Sequence, residues 1–323
     1  MKRQETILHE MNQLGKRRNS FAFLIDFQAT KPHVFDLAHS SEKILWQIPG
    51  HSNVPSVQNS AKLNKWKMSP VSFETYEKGF NLVKQRIYSG DTYLLNFTQP
   101  TIIETNVSLE DIFYLSEARY KILLKNKFVC FSPETFVKIE KGKIFSFPMK
   151  GTIDADIENA EKIILNDSKE LAEHNTIVDL IRNDLSMVAE NVVVEKFRYL
   201  DRIDTNHKNL FQVSSRISGD LPENYTENIG NIIFALLPAG SVTGAPKKKT
   251  VEIITENEKY KRGYYTGIFG IFDGENLDSC VLIRYIENQQ GQFIYKSGGG
   301  ITFMSEADSE YDEMIKKVYV PIA

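Results

Sequence analysis

Two short runs place carboxylates where a helix would bring them together. In Lys169-Glu170-Leu171-Ala172-Glu173-His174, Glu170 and Glu173 stand three residues apart and so share a helix face. Glu310, Glu313 and Lys317 repeat the arrangement near the other end of the chain. Two helices that each offer such a pair can hold one Mg²⁺, a hard cation that prefers oxygen ligands and retains waters. The same spacing describes an ordinary solvated helix face, and either pair alone reads both ways.

Four further segments could bear chemistry. Phe147-Pro148-Met149-Lys150-Gly151-Thr152 puts a lysine at the end of an apolar strand. Burial there would lower its pKa and free an amine nucleophile, although a strand-end lysine also reads as a surface residue. Arg284, in the apolar strand Val281-Leu282-Ile283-Arg284, needs a partner: a substrate carboxylate or a buried structural ion pair. Pro238 to Lys247, PAGSVTGAPK, is a Gly-rich turn entering a helix, either an anion site or a plain turn. It is not a P-loop, because Ala245 stands where the second Gly must be. Ser297-Gly298-Gly299-Gly300-Ile301 lets a ligand approach the backbone, or is a flexible loop. It is no dinucleotide fingerprint, since Phe303 replaces the third Gly.

Positioning these side chains requires a particular set of elements. FAFLIDF at 21–27 and residues 34–37 read as short strands. The polar stretch 49–70 reads as a loop between an N-terminal subregion, 1–70, packed onto the rest, and a catalytic domain, 71–323. Phe73, Tyr76, Phe80, Val83 and Ile87 recur at helical spacing, and Ser108 with Asp111 suggests a capping box for a second helix. Strands are expected at 127–131, 135–140 and 143–149. A helix from about 169 takes Ser168 as its N-cap. Further strands fit 190–197, 210–218, 264–272, 278–286 and 292–297; helices fit 226–237, the stretch after Pro246, and the stretch from about 306. Strands and helices mix without regular βαβ alternation, which favours an α+β class.

Composition narrows the function classes. A chain of 323 residues, 41% hydrophobic, can bury one large core or two modest ones. A formal net charge of −3 gives no basic excess to attract nucleic acid or an anionic membrane. The N-terminal residues show no apolar signal-type core and no apolar run approaches a membrane span, so a cytosolic protein is expected. Cys130 and Cys280 lie outside any CxxC spacing, which fits a reducing compartment.

Taken together and in order, these segments resemble the chorismate-utilising enzyme family, which includes anthranilate synthase component I, aminodeoxychorismate synthase component I, isochorismate synthase and salicylate synthase. The resemblance runs from about residue 71 to 319. It rests on GDTYLLN from Gly90, Ser132-Pro133-Glu134, Met149-Lys150-Gly151-Thr152, KELAEHNTIVDLIRND from Lys169, the PAGSVTGAPK run, RGYYTG from Arg262, Ile283-Arg284, SGGGI, and EYDEMIKK from Glu310. It implies two large packed antiparallel β-sheets flanked by helices, with the active site between the layers. By position, Glu173 and Glu313 would be the principal Mg²⁺ ligands, with Glu170 and Glu310 close by. Mg²⁺ would hold the ring carboxylate of chorismate, and Tyr265 and Arg284 the enolpyruvyl carboxylate. Lys317 and the amides of Gly298, Gly299 and Gly300 would add positive potential, and Thr243 would face the ring. Glu134 resembles the general acid that protonates the leaving C4 hydroxyl.

The residue before Gly-Thr separates members of the family. Anthranilate, isochorismate and salicylate synthases typically have Ala there, whereas aminodeoxychorismate synthases carry Lys, as Lys150 does here. The resemblance therefore implies attack of Lys150 on C2, loss of the C4 hydroxyl as water, and attack of ammonia at C4 with expulsion of the lysine. The product would be 4-amino-4-deoxychorismate, a precursor of 4-aminobenzoate and folate. Lys150 must be neutral to attack, through burial or nearby cations. Gln212 stands where many relatives have His, which removes an acid or base from that position. The Leu-Leu-Glu-Ser type segment that binds tryptophan in anthranilate synthases is missing, so feedback by tryptophan is not expected. With no Cys-His-Glu set in this chain, ammonia would come from a separate glutamine amidotransferase subunit in a heterodimer. Anthranilate synthase component I is the competing reading. A water-using synthase would need a base lysine near 84–95, and Lys84 does not align as one.

Overall fold

In the computed structural model, which describes residues 2–56, 60–203 and 209–322, the strand Phe21–Ile25 is buried at every position. Its side chains alternate between two apolar layers. Phe21, Phe23 and Ile25 join a core with the helices Ser168–Ser186 and Ile229–Ala235, while Ala22 and Leu24 pack with Trp46, Tyr120 and Phe128 of another sheet. A strand covered on both faces has no polar positions to spare, which explains an all-apolar FAFLI.

Two antiparallel sheets result, each with nine strands among the described residues. The first runs Met149–Asp154, Leu210–Asp220, Lys143–Ser146, Thr135–Glu140, Leu277–Val281, Ile268–Phe272, Phe21–Ile25 and His33–Phe35, with Glu190–Ile203 also paired to Leu210–Asp220. The second runs Gly244–Ala245, Leu94–Thr105, Gln292–Ile301, Tyr285–Gln289, Phe128–Ser132, Tyr120–Leu124, Ile44–Ile48 and His51–Ser52, with Trp66–Pro70 also on Leu94–Thr105. The sheets share one apolar layer. The helices Phe73–Tyr88, Lys247–Asn257 and Ala307–Lys316 cover the far end of the second sheet. This is the α+β arrangement of two packed sheets flanked by helices.

Two chain segments cross between the sheets side by side. Pro133-Glu134 links Phe128–Ser132 to Thr135–Glu140, and residues 282–284 link Leu277–Val281 to Tyr285–Gln289. Val281 N–H donates to the Glu134 carbonyl and Phe131 N–H to the Arg284 carbonyl, both at 3.1 Å. Arg284 has φ +53°, a left-handed conformation that a non-glycine residue holds only when its surroundings impose it. The single strand expected over 278–286 is thus two strands in different sheets.

Other expectations also shift. The stretch 49–70 contains the strands His51–Ser52 and Trp66–Pro70 rather than only loop, and residues 1–70 contribute strands to both sheets. A helix not anticipated, Lys2–Lys16, crosses the turn and helix at 225–235 where Gly15 and Gly230 allow backbones to meet; a Cβ on Gly15 would lie 2.0 Å from the Thr226 carbonyl. The expected strand 143–149 ends at Ser146, and Met149–Asp154 is a strand of its own. Asp167, not Ser168, caps the following helix by accepting from Glu170 N–H at 2.9 Å. Ser297–Gly300 is no loop but the end of the strand Gln292–Ile301.

A buried ion pair fastens the crossing region. Arg262 donates to Glu258 at 2.6 and 2.8 Å, to Val242 O at 2.8 Å and to Asn96 O at 2.7 Å. Both side chains are 2% exposed. Arg262→Met should therefore lower unfolding free energy by about 3–5 kcal/mol, because Glu258 is left charged and unpaired. Urea denaturation at neutral pH measures this; an unchanged midpoint would show that the network carries no stability.

Candidate active site

Where the sheets part beside the two crossings lies a cavity of about 490 Å³. Each wall delivers its charges for a local reason. The helix Ser168–Ser186 turns Glu170 and Glu173 to one face, and Ala307–Lys316 does the same for Glu310, Glu313 and the following Lys317. Gly298, Gly299 and Gly300 pair with Thr98, Phe97 and Asn96, and their bare backbone lets these groups close in. A Cβ on Gly299 would lie 3.3 Å from Glu310 Oε2 and 3.4 Å from Glu313 Oε1; one on Gly300 would lie 3.0 Å from Lys150 Nζ. Apart from Thr243, every site residue anticipated from sequence lines this cavity.

Lys150 reaches the cavity from an irregular strand. The pairing of Met149–Asp154 with Leu210–Asp220 shifts register between Met149 and Thr152, and Gly151 has φ +78°. Such a bulge re-aims a side chain. Lys150 Nζ donates to Glu173 Oε2 at 3.0 Å, with the side chains 22% and 6% exposed. Burial alone would pull the Lys150 pKa down, but Glu173, helped by Glu170 and Glu313, outweighs it and holds the amine above a lysine's ordinary value. The expected neutral amine is therefore an ammonium here, because its nearest neighbours are carboxylates rather than cations.

Glu134 behaves oppositely. Burial raises its pKa from the ordinary glutamate value against the opposing pull of Ser241, Lys150, Arg284 and Lys317. Ser241 Oγ donates to it. The upward shift favours the protonated form that a general acid needs. Arg284 lines the same cavity, and no carboxylate pairs with it among the described residues, so it is not half of a structural ion pair. Its guanidinium lies 5.5 Å from the Tyr319 ring centroid. A buried cation without an anionic partner is a receptor for one. Tyr265, 4% exposed, stands beside it.

The four anticipated metal-binding carboxylates offer hard oxygen donors, and that chemistry suits Mg²⁺. Three of them hold lysines instead: Glu173 with Lys150, Glu310 with Lys169 at 2.9 Å, and Glu313 with Lys317 at 2.5 Å. Among the described residues no three acidic, imidazole or thiol groups already converge as a metal site. The donors fit a divalent cation that would take over the lysines' role as counter-charge.

Some placements depart from expectation. Thr243 is fully buried behind the wall, its hydroxyl donating to the Ala239 carbonyl at 2.6 Å, so Ser241 and Val242 face the cavity instead. The turn spends its residues on a short pairing of Gly244–Ala245 with Leu94–Leu95, which directs Thr243 inward. Gln212 does line the cavity. Lys84 does not; its Nζ caps the carbonyls of Phe303 and Ser305 at 2.7 and 2.9 Å. Lys169, Ser241 and Asn96 were not singled out in sequence. Lys169 and Ser241 lie inside runs already flagged for other residues, but only the fold reveals that they point the same way.

The chain is similar to known proteins along nearly its whole length. Residues 16–323 match the family model described as chorismate binding enzyme. An uncharacterized PabA-like protein of Haemophilus influenzae is 50% identical across 99% of this chain and 98% of its own. Anthranilate synthase component 1 of Acetivibrio thermocellus is 33% identical over 77% of this chain and 52% of its own. Aminodeoxychorismate synthase component 1 of Bacillus subtilis is 31% identical over 78% and 55%. The menaquinone-specific isochorismate synthase of Escherichia coli shares the fold, with a TM-score of 0.73 at 14% identity over 97% of this chain and 80% of that one.

His174, beside Glu173, supplies a test of the packing under the site. Burial, with Arg198 and Lys150 nearby, lowers its pKa to about 4. The folded state thus refuses a proton that the unfolded chain accepts near 6.5. Stability from this group is full above pH 6.5 and is lost as pH falls toward 4, by up to about 1.4 kcal/mol per pH unit. Urea midpoints between pH 7.5 and 5 should show this slope, and His174→Gln should flatten it; an equal slope in the variant would contradict the burial argument.

Proposed function

We infer the reaction from one premise: the chain belongs to the family of chorismate binding enzymes. The enzyme converts chorismate and ammonia to 4-amino-4-deoxychorismate, as an aminodeoxychorismate synthase component I. The observation that carries this reading is Lys150, placed by its bulge against Gly300 and Glu173 inside the cavity, facing the same space as Glu134.

Charge balance supports the substrate. Lys150, Lys169, Arg284, Lys296 and Lys317 line the cavity against Glu134, Glu170, Glu173, Glu310 and Glu313. A dicarboxylate entering together with a divalent cation leaves the charge count unchanged, whereas either alone would bury uncompensated charge. Arg284 and Tyr265 take the enolpyruvyl carboxylate. Glu170, Glu173, Glu310 and Glu313 would hold a bound Mg²⁺, which would supply positive charge for the ring carboxylate. Glu173 holds Lys150 as an ammonium at rest, so Lys150 reacts only after giving up a proton to solvent. The free amine attacks C2, the C1=C2 and C5=C6 double bonds shift to C1=C6 and C4=C5, and the C4 hydroxyl leaves as water with the proton of Glu134. Ammonia then attacks C4 and expels the Lys150 amine, and the Glu134 carboxylate recovers a proton from the new ammonium. Lys317, whose pKa burial draws below the ordinary lysine value, adds positive potential beside Gly298, to whose carbonyl it donates at 2.8 Å.

A partner supplies the ammonia. Cys130 and Cys280 are buried in sheet strands, where burial pushes both thiols up and leaves them poor nucleophiles. Glutamine hydrolysis therefore belongs to a separate amidotransferase subunit. No helix among the described residues is long and apolar enough to cross a membrane.

Incubation with chorismate, ammonium and Mg²⁺, with mass analysis before and after adding an aminodeoxychorismate lyase, should show 4-amino-4-deoxychorismate and then 4-aminobenzoate. Anthranilate as the product would instead establish the competing anthranilate synthase reading. Lys150→Ala should abolish the covalent adduct and most of the rate; a full rate would exclude the nucleophilic route. Glu134→Gln should cost roughly 10²–10⁴-fold in kcat. In the wild type kcat should fall as pH rises through the raised Glu134 pKa, since the acid must be protonated. Chelation should stop turnover and Mg²⁺ restore it, while Glu173→Gln and Glu313→Gln should raise the Mg²⁺ requirement.

A further inference from the structure

Lys150 is not the only residue here set on a bulge. On the other side of the strand Leu210–Asp220, Glu190–Ile203 shifts register between Lys196 and Tyr199, and Arg198 has φ +48°. Ser215 stands between the two irregular strands. Its N–H donates to Pro148 O at 2.9 Å, two residues before Lys150. Its Oγ accepts the Arg198 N–H at 2.9 Å and lies 2.6 Å from His174 Nε2. His174 directly follows Glu173, whose carboxylate holds Lys150. The contacts close a ring: Ser215 to Pro148, along the chain to Lys150, across to Glu173, back to His174 and to Ser215.

We propose that His174 and Ser215 are positioning residues whose hydrogen bond pins the helix Ser168–Ser186 to Leu210–Asp220, the strand that the Lys150 strand pairs with, and so fixes Lys150 relative to Glu173. Neither lines the cavity, so neither touches substrate. Both are 0% exposed. His174 Nδ1 has no hydrogen-bond partner among the described residues, so the ring is anchored through one nitrogen and passes no proton onward. A bulge has few ladder bonds to hold it, so the strand it pairs with must itself be held in place, here by the His174–Ser215 bond and the Ser215 N–H bond to Pro148 O. The proposal rests on the reading of Lys150 as the nucleophile.

Displacing a reacting group by about an ångström can cost on the order of 100-fold in rate. Ser215→Ala should lower kcat by about 10- to 100-fold with little change in the KM for chorismate. The two His174 replacements should then separate. In His174→Gln the amide nitrogen reaches the Nε2 position and restores most of kcat, whereas in His174→Asn it reaches only the Nδ1 position and does not. Wild-type kcat in Ser215→Ala, or a lowered melting temperature without a loss of kcat, overturns the proposal, as do equal kcat values for the folded Gln and Asn variants. Intact mass after incubation with chorismate and Mg²⁺ without ammonia reads the Lys150 adduct. Reduced adduct in Ser215→Ala supports the proposal. If the wild type itself forms none, the nucleophile reading fails, while the Gln/Asn split in kcat still decides whether the pin holds the site.

Discussion

Lys150 and Glu173 face each other at 3.0 Å in a space walled by two apolar sheets, and neither can keep its charge there alone. The rest of the site follows from that constraint. Glu310 and Glu313 recruit Lys169 and Lys317 for the same reason, so the cavity holds its charges as pairs that an anionic ligand with a cation can re-sort. Burial shifts Glu134 the other way, toward holding its proton. Arg284 escapes the constraint by waiting for an anion beside aromatic rings. Glu134, Lys150 and Arg284 are thus distinguished by environment more than by residue type.

The backbone achieves this where it changes sheets. Interior strand residues are fully bonded in the ladder and have no freedom to present a side chain sideways. At the crossings the ladder stops, and Glu134 and Arg284 turn into the gap while their carbonyls accept N–H groups from Val281 and Phe131. The bulge at Lys150–Gly151 provides the same release within a strand. The glycines at 298–300 keep the ladder but remove the side chains that would fill the cavity. Arg262 and Glu258 lock the neighbouring turn, so Ser241 meets Glu134 while Thr243 is directed into the core.

The elements read most reliably from sequence were those whose periodicity matched a single environment. The helix Phe73–Tyr88 and the capping box at Ser108 and Asp111 formed as their patterns imply. Errors arose where composition stayed constant while the partner changed. Residues 278–286 are apolar throughout most of their length, yet their ladder passes from one sheet to the other at 282–284. Trp66–Pro70 is polar and half exposed because it is an edge strand, so it resembled a loop. The amphipathic helix Lys2–Lys16 buries only Met11 and Gly15, too faint a stripe to stand out.

The sequence by itself determined the stock of chemistry: two carboxylate pairs at helical spacing, one lysine before Gly-Thr, an arginine in an apolar run, and their order along the chain. Those are local properties, fixed by residue type and by the period of a helix or strand. It did not determine that Lys150 is an ammonium, that Thr243 turns away, or that Lys169 and Ser241 join the site. Those outcomes depend on which groups from distant segments arrive within a few ångströms. Electrostatic and hydrogen-bond energies are set by that distance and by the burial around it, so only the folded arrangement could decide them.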